Sequence, residues 1–246
     1  SQISMPVGKI PKQVRNDKRS FAFTLAEVLI TIVIIGVIAA ITVPVLTDKV
    51  SNYQYKTRLQ KTYSTLSQAF RLTYGYDYDD FTDWNYVHSQ AFTTDIFNRI
   101  SPHLQIAKVC GAGFENARKC WADKTYAKNG QYSLWFTDEG RWEGGGEGFG
   151  FILNDGTSVI MDVWVDNTLR VMGISNDIIL SGASLGFFVD VNGAKKPNIA
   201  GKDIFVFALT SKGIVPGGMD NKSAYCDNKN INYNWDCALK VLKSAD

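Results

Sequence analysis

An apolar stretch between Phe23 and Pro44 limits most strongly what this chain can fold into. It contains about twenty residues, enough for an α-helix of about 30 Å that crosses the hydrocarbon core of a bilayer. Glu27 is its one charged residue. The basic residues before it should stay in the cytoplasm, so the chain after Val43 is expected on the far side of the membrane. These basic residues are Lys9, Lys12, Arg15, Lys18 and Arg19.

Glu27 lies about one turn into this stretch, where an ionised carboxylate costs up to about 2.5–3.5 kcal/mol. An acid inside a membrane segment is typically functional and needs a partner. The residues around it, Ala22-Phe23-Thr24-Leu25-Ala26-Glu27, resemble the prepilin peptidase site of type IV pilins and type II secretion pseudopilins. In that family a basic leader is cut before Phe or Met, the new amino terminus is N-methylated, and the fifth mature residue is Glu.

The resemblance implies that a prepilin peptidase cuts between Ala22 and Phe23 and that Phe23 is then N-methylated. Glu27 is the fifth residue counted from Phe23. Gly36 and Pro44 fall where many pilins carry a helix-loosening Gly and a helix-kinking Pro. Ala22 departs from the Gly that the family usually has before the cut.

The same resemblance implies a structural subunit of a type IV pilus or a type II secretion filament, and not an enzyme. Its partners would be copies of itself, other pilins, the assembly platform and the lipid bilayer. Glu27 would neutralise the amino group of Phe23 in a neighbouring subunit. Subunits shifted along the filament axis would leave a buried charge unpaired, which is costly, so this pair would set the axial register. The protein would lie in the bacterial inner membrane with a periplasmic head.

Other interpretations of the apolar stretch compete with this one. A secretory signal peptide has a similar layout, but its apolar part is shorter and it ends in an A-x-A site. A plain single-span anchor with an incidental Glu is a second alternative. A periplasmic binding protein or enzyme on such an anchor would not polymerise, and Glu27 would then be dispensable.

The rest of the chain predicts an α+β, pilin-like fold. Apolar residues recur at helical spacing up to Gly75, so one long helix should continue past Pro44. Later segments alternate as strands, with Asn154-Asp155-Gly156 as a hairpin turn between Phe149–Leu153 and Ser158–Val165. The predicted division is a leader at 1–22, a membrane and filament-core helix at 23–44, its amphipathic continuation at 45–75, and a globular head with an antiparallel sheet at 76–246.

Charge and motifs argue against several other classes of protein. The net charge is +2, and the leader through Ala22 carries +4, so the remainder is slightly acidic and shows no basic footprint for nucleic acid. The glycine-rich run at 144–148 lacks the Lys-Ser/Thr of a phosphate-binding loop. No catalytic motif stands out, and neither His88 nor His103 has a metal-ligand spacing.

The four cysteines should lie outside the cytoplasm, where disulfides persist. The local pairing is favoured because each pair closes a short loop, whereas a zinc site would need shorter spacings. It joins Cys110 to Cys120 and Cys226 to Cys237.

One metal site is a weak possibility in the head. Asp190, Asn192 and Asp203 carry oxygen atoms that could hold calcium, as some pseudopilins do. The preferred interpretation is a long turn between two strands, without a cofactor.

Overall fold

The computed structural model describes residues 23–75, 89–133, 146–165, 171–175, 183–220, 225–231 and 233–244. The chain divides into two compact units, residues 1–47 and 48–246. One helix, α1 (Leu25–Tyr74), supplies the described secondary structure of the first unit and begins the second. Pro44 lies inside this helix without ending it, as the sequence predicted.

The second half of α1 is an amphipathic helix that contributes to the core of the head. Leu59, Leu66, Ala69 and Phe70 are fully buried, and their spacing of three, four and seven residues places them on one side of the helix. Tyr63, on the same side, packs its ring against Phe207 at a centroid distance of 5.5 Å. Burial of this apolar face, rather than helix propensity alone, stabilises this part of α1.

Three shorter helices complete the described helical structure of the head. They are α2 (Gln90–Ile100), α3 (Phe114–Ala117) and α4 (Ala238–Lys243), with 3-10 turns at Ser101–His103, Arg118–Cys120 and Trp235–Cys237. Ser89 caps α2 because its side-chain oxygen accepts a hydrogen bond from the Phe92 N–H. Helix α2 ends at Ile100, directly before the 3-10 turn that contains Pro102.

Six antiparallel strands form one sheet whose spatial order follows the chain order. The turn at Asn154–Gly156 joins the second and third strands at the predicted residues, and Gly156 supplies the positive φ of 87° that this turn requires. The α+β class with a long amino-terminal helix is confirmed. The strands are β1 (Ile106–Ala112), β2 (Phe149–Leu153), β3 (Ser158–Val165), β4 (Ala183–Asp190), β5 (Ile204–Thr210) and β6 (Gly213–Pro216).

Both faces of the sheet are covered. On β3, Val159, Met161 and Val163 pack in the cluster that contains the α1 and α2 side chains, while Ile160 packs in a second cluster on the other face. The second cluster also contains aromatic contacts, in which Phe188 meets Trp121 and Trp235 edge-on. All seven residues of β5 are buried, because alternate side chains enter the two clusters.

Two segments rich in aspartate or glycine fall largely outside the described residues. The acid-rich segment at 75–83 is described only at Gly75, where the chain leaves α1 with a positive φ of 78°. Of the glycine-rich run at 144–148, residues 146–148 are described and form a turn that leads into β2.

Candidate processing and assembly site

The first turn of α1 is closed by a reciprocal set of hydrogen bonds between Thr24 and Glu27. The Thr24 N–H donates to Glu27 Oε2 at 2.9 Å, and the Glu27 N–H donates to Thr24 Oγ1 at 3.2 Å. The Thr24 hydroxyl also donates to Glu27 Oε2 at 2.8 Å. This arrangement is a capping box, which satisfies two backbone donors that a helix start otherwise leaves without partners. Phe23, immediately before it, is 81% exposed.

The capping box gives Glu27 a local role that the sequence analysis missed. A helix end in a low-dielectric environment must satisfy its backbone donors within the chain, because water is absent. Glu27 does this with Oε2, and within the described residues its Oε1 atom accepts no hydrogen bond. The signal was present in the sequence as Thr-x-x-Glu at the start of an apolar run. Ala22, the residue before the expected cut, lies outside the described residues.

The apolar part of α1 presents its hydrophobic side chains outward. Isoleucines on different sides of the helix, among them Ile30, Ile32 and Ile35, are 57–65% exposed. The Thr31 hydroxyl donates to the Val28 carbonyl and the Thr42 hydroxyl to the Ile38 carbonyl, so these polar atoms are satisfied within the helix. The helix is long and apolar enough to cross a bilayer.

Gly36 and Pro44 both lie within α1, as the sequence predicted. A Cβ atom added at Gly36 would meet no atom within 4 Å, so packing within one chain does not require glycine there. Pro44 lacks the N–H that would bond to the Ala40 carbonyl. Their roles in assembly therefore stay predictions, since each concerns contacts that a single chain does not make.

The cysteines form two disulfides, Cys110–Cys120 and Cys226–Cys237, in the pairing expected from the sequence. The second is almost completely buried, although polar residues surround both of its cysteines in the sequence. Asp236 lies close to both of its sulfur atoms, which would suit a metal cluster. The sulfur atoms are bonded to each other, however, and so offer no thiolate to a metal.

The structure brings Asp190, Asn192 and Asp203 together at the end of β4 and the start of β5. Asp203 accepts hydrogen bonds from the backbone N–H groups of Asn198 (2.8 Å) and Ile199 (2.6 Å), and Asp190 accepts one from Asn192 (3.1 Å). Burial raises the pKa of both carboxyl groups, and the nearby Asp203 raises that of Asp190 further. These contacts organise the turn that was the preferred interpretation, and calcium binding here stays the untested alternative to it.

The turn also depends on two left-handed backbone positions, Gly193 and Asn198, with φ angles of 68° and 54°. They belong to the pairs Asn192-Gly193 and Pro197-Asn198, and such pairs favour turns. A Cβ atom at Gly193 would lie 2.6 Å from the Gly156 carbonyl oxygen. Glycine therefore lets this turn close against the β2–β3 turn.

Comparison with known families gives one match. A family model described as the prokaryotic N-terminal methylation motif matches residues 17–43. Searches of curated protein sequences and of solved structures find no match. The matched residues include Ala22, Phe23, Thr24, Glu27 and Gly36. The chain therefore carries the signal segment of type IV pilins and pseudopilins, which supports a type IV pilin-like protein that a prepilin peptidase processes.

Proposed function

We propose that this protein is a structural subunit of a type IV pilus or of a type II secretion filament. In this proposal the chain enters the bacterial inner membrane with its head in the periplasm. A prepilin peptidase cuts it between Ala22 and Phe23, Phe23 is N-methylated, and the mature chain polymerises through the apolar part of α1. The protein is then a substrate of processing and not an enzyme.

The observation that carries the proposal is the methylation motif at the start of an outward-facing apolar helix. Exposed apolar surface of this extent is unfavourable in water and must be covered by lipid or by protein. A bilayer covers it before assembly. In a filament the same side chains would pack against those of neighbouring subunits.

Glu27 supplies the register of the filament in this proposal. Cleavage before Phe23 creates an amino group, and the carboxylate of Glu27 attracts the amino group of a neighbouring subunit. The attraction is strong because water is excluded from a core of apolar helices. Subunits shifted along the axis would leave both charges buried and unpaired, which is costly. The capping box supports this role, because it orients the carboxylate while leaving Oε1 available.

The two disulfides support the placement of the head outside the cytoplasm. Disulfides persist in oxidising compartments such as the periplasm and are rare in the cytosol. The positive charges before Phe23 favour the same orientation, because basic flanks stay in the cytoplasm.

Amino-terminal mass spectrometry of the native protein tests the processing step. We expect the mature chain to begin at Phe23 and to carry an N-methyl group. Ala22→Gly, which restores the family's usual residue, should be cleaved at least as completely as the wild type, and the bulky charged variant Ala22→Lys should accumulate uncleaved. A mature start at Ile41 or beyond would indicate a signal peptidase and would contradict the proposal.

Filament imaging separates this proposal from a singly anchored periplasmic binding protein or enzyme. The experiment compares a deletion strain, the same strain complemented with an epitope-tagged copy, and an untagged control by immunogold electron microscopy. We expect label along filaments in the complemented strain. Label confined to the membrane, with correct cleavage, would favour the anchored alternative.

A further inference from the structure

A concave site in the head, which we call the basic pocket, combines positive charge with a buried hydroxyl group. It has a volume of about 450 Å³ and lies between α1, the β2–β3 turn, the 3-10 turn at Arg118–Cys120 and residues 192–195. The basic pocket is defined by Arg58, Lys119, Trp121, Asp155, Ser158 and Lys195. None of these residues takes part in the processing or register steps described above.

The positive charge of the basic pocket is not neutralised within the described residues. Arg58 donates to the Val191 carbonyl and Lys119 to the Asn116 side-chain oxygen, so both have neutral partners. Lys195 is exposed and forms no ion pair there. The acid at the rim, Asp155, pairs at 2.8 Å with Lys61, which also brings positive charge. A carboxylate entering the pocket would therefore meet an excess of cations.

Ser158 provides a second, independent indication of a ligand. Its side chain is 1% exposed and lines the pocket, and its hydroxyl oxygen has no hydrogen-bond partner in the part of the chain that is described. Buried polar atoms without partners are rare, because they lose their water without compensation. A carboxylate would accept a hydrogen bond from this hydroxyl.

The chain itself contains a segment with complementary chemistry. Residues 75–83 read Gly-Tyr-Asp-Tyr-Asp-Asp-Phe-Thr-Asp and include no basic residue. We propose that the basic pocket binds the carboxylates of this acid-rich segment from a second copy of the chain. The inference rests on the proposed filament function, since polymerisation supplies the second copy. The contact joins two different surfaces, and such head-to-tail contacts generate open helical assemblies when their rotation does not close into a ring.

Chain length favours a second copy over the pocket's own chain. Arg58 and Tyr74 are separated by sixteen residues of α1, which is about 24 Å along the helix axis. Asp77, Asp79 and Asp80 lie at most six residues beyond Tyr74, and six residues span about 21 Å when fully extended. They would have to run straight back along α1, with no residues left to reverse the chain. Asp83 alone has a longer reach.

Charge reversal in the full-length protein tests this contact. Lys119→Glu with Lys195→Glu should lower incorporation into filaments by about tenfold or more, because like charges would face each other. Asp79→Lys with Asp80→Lys should have a similar effect. All four substitutions together should restore incorporation to within about threefold of the wild type. Lys212→Glu with Lys229→Glu, an equal charge change at exposed sites elsewhere on the head, is the matched control and should incorporate normally.

Photo-crosslinking in cells gives a direct readout. A photoreactive residue in place of Lys195 should yield a dimer whose crosslinked peptide contains residues 77–83 of another copy. Normal incorporation of the charge-reversed variants would overturn the inference while leaving the filament proposal intact. An adduct with lipid, with another protein or with the same chain would also overturn it. If the wild-type protein entered no filament at all, the proposed function and this inference would fail together.

Discussion

The apolar part of α1 and the head use hydrophobic side chains in opposite ways. In the first unit, the isoleucines along the helix stay half exposed, and the described polar side chains bond within the helix itself. In the head, both faces of the sheet are covered, and Leu66, Phe187 and Leu209 are almost completely buried. The head can therefore be stable as a single copy, whereas the first unit needs lipid or other subunits to cover it.

This contrast predicts that substitutions in the two units should change different properties. Changes near Phe23 should alter assembly and leave the stability of the head unchanged, and changes in the head core should alter unfolding before they alter membrane insertion. Five predictions test this division, starting with the one whose effect should be largest.

Glu27→Val should nearly abolish incorporation into filaments. Insertion should survive, because the span becomes more apolar, and cleavage should continue because Ala22 and Phe23 are unchanged. The midpoint of thermal unfolding of the head should shift by less than about 2 °C, since no head contact is lost. Membrane fractionation, amino-terminal analysis and immunogold labelling are scored on the same cells.

Glu27→Gln separates the two roles of this residue. Glutamine can keep the capping box but cannot neutralise an amino group. If register depends on charge, Glu27→Gln should fail to assemble as Glu27→Val does, whereas Ile34→Val should assemble normally. Assembly of the Gln variant would assign the main role to capping, and assembly of the Val variant would remove Glu27 from the mechanism altogether.

Removing the buried disulfide should be the most damaging single change to the head. Replacing both Cys226 and Cys237 by Ala should lower the free energy of unfolding by about 3 kcal/mol, because the unfolded chain gains conformational freedom. Loss of the buried sulfur atoms from the core should lower it further. The Cys110 and Cys120 double-alanine variant should lose less, because Cys110 is partly exposed. Urea denaturation measures both variants, and equal losses would show that the buried position of the second disulfide adds nothing.

The pH dependence of head stability should report on Asp162. Burial, with a smaller contribution from nearby Glu147, raises the pKa of this carboxyl group to about 7 in the folded chain. In the unfolded chain its pKa is about 4. Between these values the folded state binds a proton that the unfolded state does not, so stability falls as pH rises. The loss should be about 2 kcal/mol between pH 5 and pH 7.

Asp162→Asn should flatten this profile, measured by urea denaturation at several pH values. A residual slope of the same sign is expected from Asp190 and Asp203, whose pKa values burial also raises. A wild-type head that becomes more stable from pH 5 to pH 7 would contradict the assignment.

Thr24→Val should have the smallest effect. Loss of the capping hydroxyl should destabilise the first turn of α1 by about 1 kcal/mol. Hydrogen exchange of the amides at the start of the mature chain, measured in detergent micelles, should become about fivefold faster. This factor corresponds to a loss of about 1 kcal/mol in the free energy of opening the first turn. Thr24→Ser keeps the capping oxygen and should exchange as the wild type does. Equal exchange in all three proteins would show that the capping box is absent in solution.

Regular local patterns explain why part of the fold could be predicted from the sequence. The apolar spacing along α1 and the Asn154–Gly156 turn are signals that neighbouring residues carry. Strand β1 lacks such a signal, because it is an edge strand with irregular pairing around Lys108 and an exposed Val109. Strand β6 has only four residues, and pairing with β5 rather than its own sequence determines its structure.

The candidate sites divide in the same way. Glu27 and the local cysteine pairs could be identified because sequence spacing alone relates their members. The basic pocket could not, because Arg58, Lys119, Ser158 and Lys195 come from four separate segments. The β3–β4 register pairs Ser158 with Asp190, and glycine at position 193 lets the following turn, which carries Lys195, approach the β2–β3 turn.

Because α1 belongs to both units, the boundary between anchor and head falls inside a helix and not in a linker. Residues 59–70 of α1 supply Leu59, Leu66 and Phe70 to the head core. A soluble fragment that began after Gly75 would lack one wall of that core, whereas one that began near Asp48 would keep it. The membrane anchor can thus be shortened from its amino-terminal side without removing a residue of the head core.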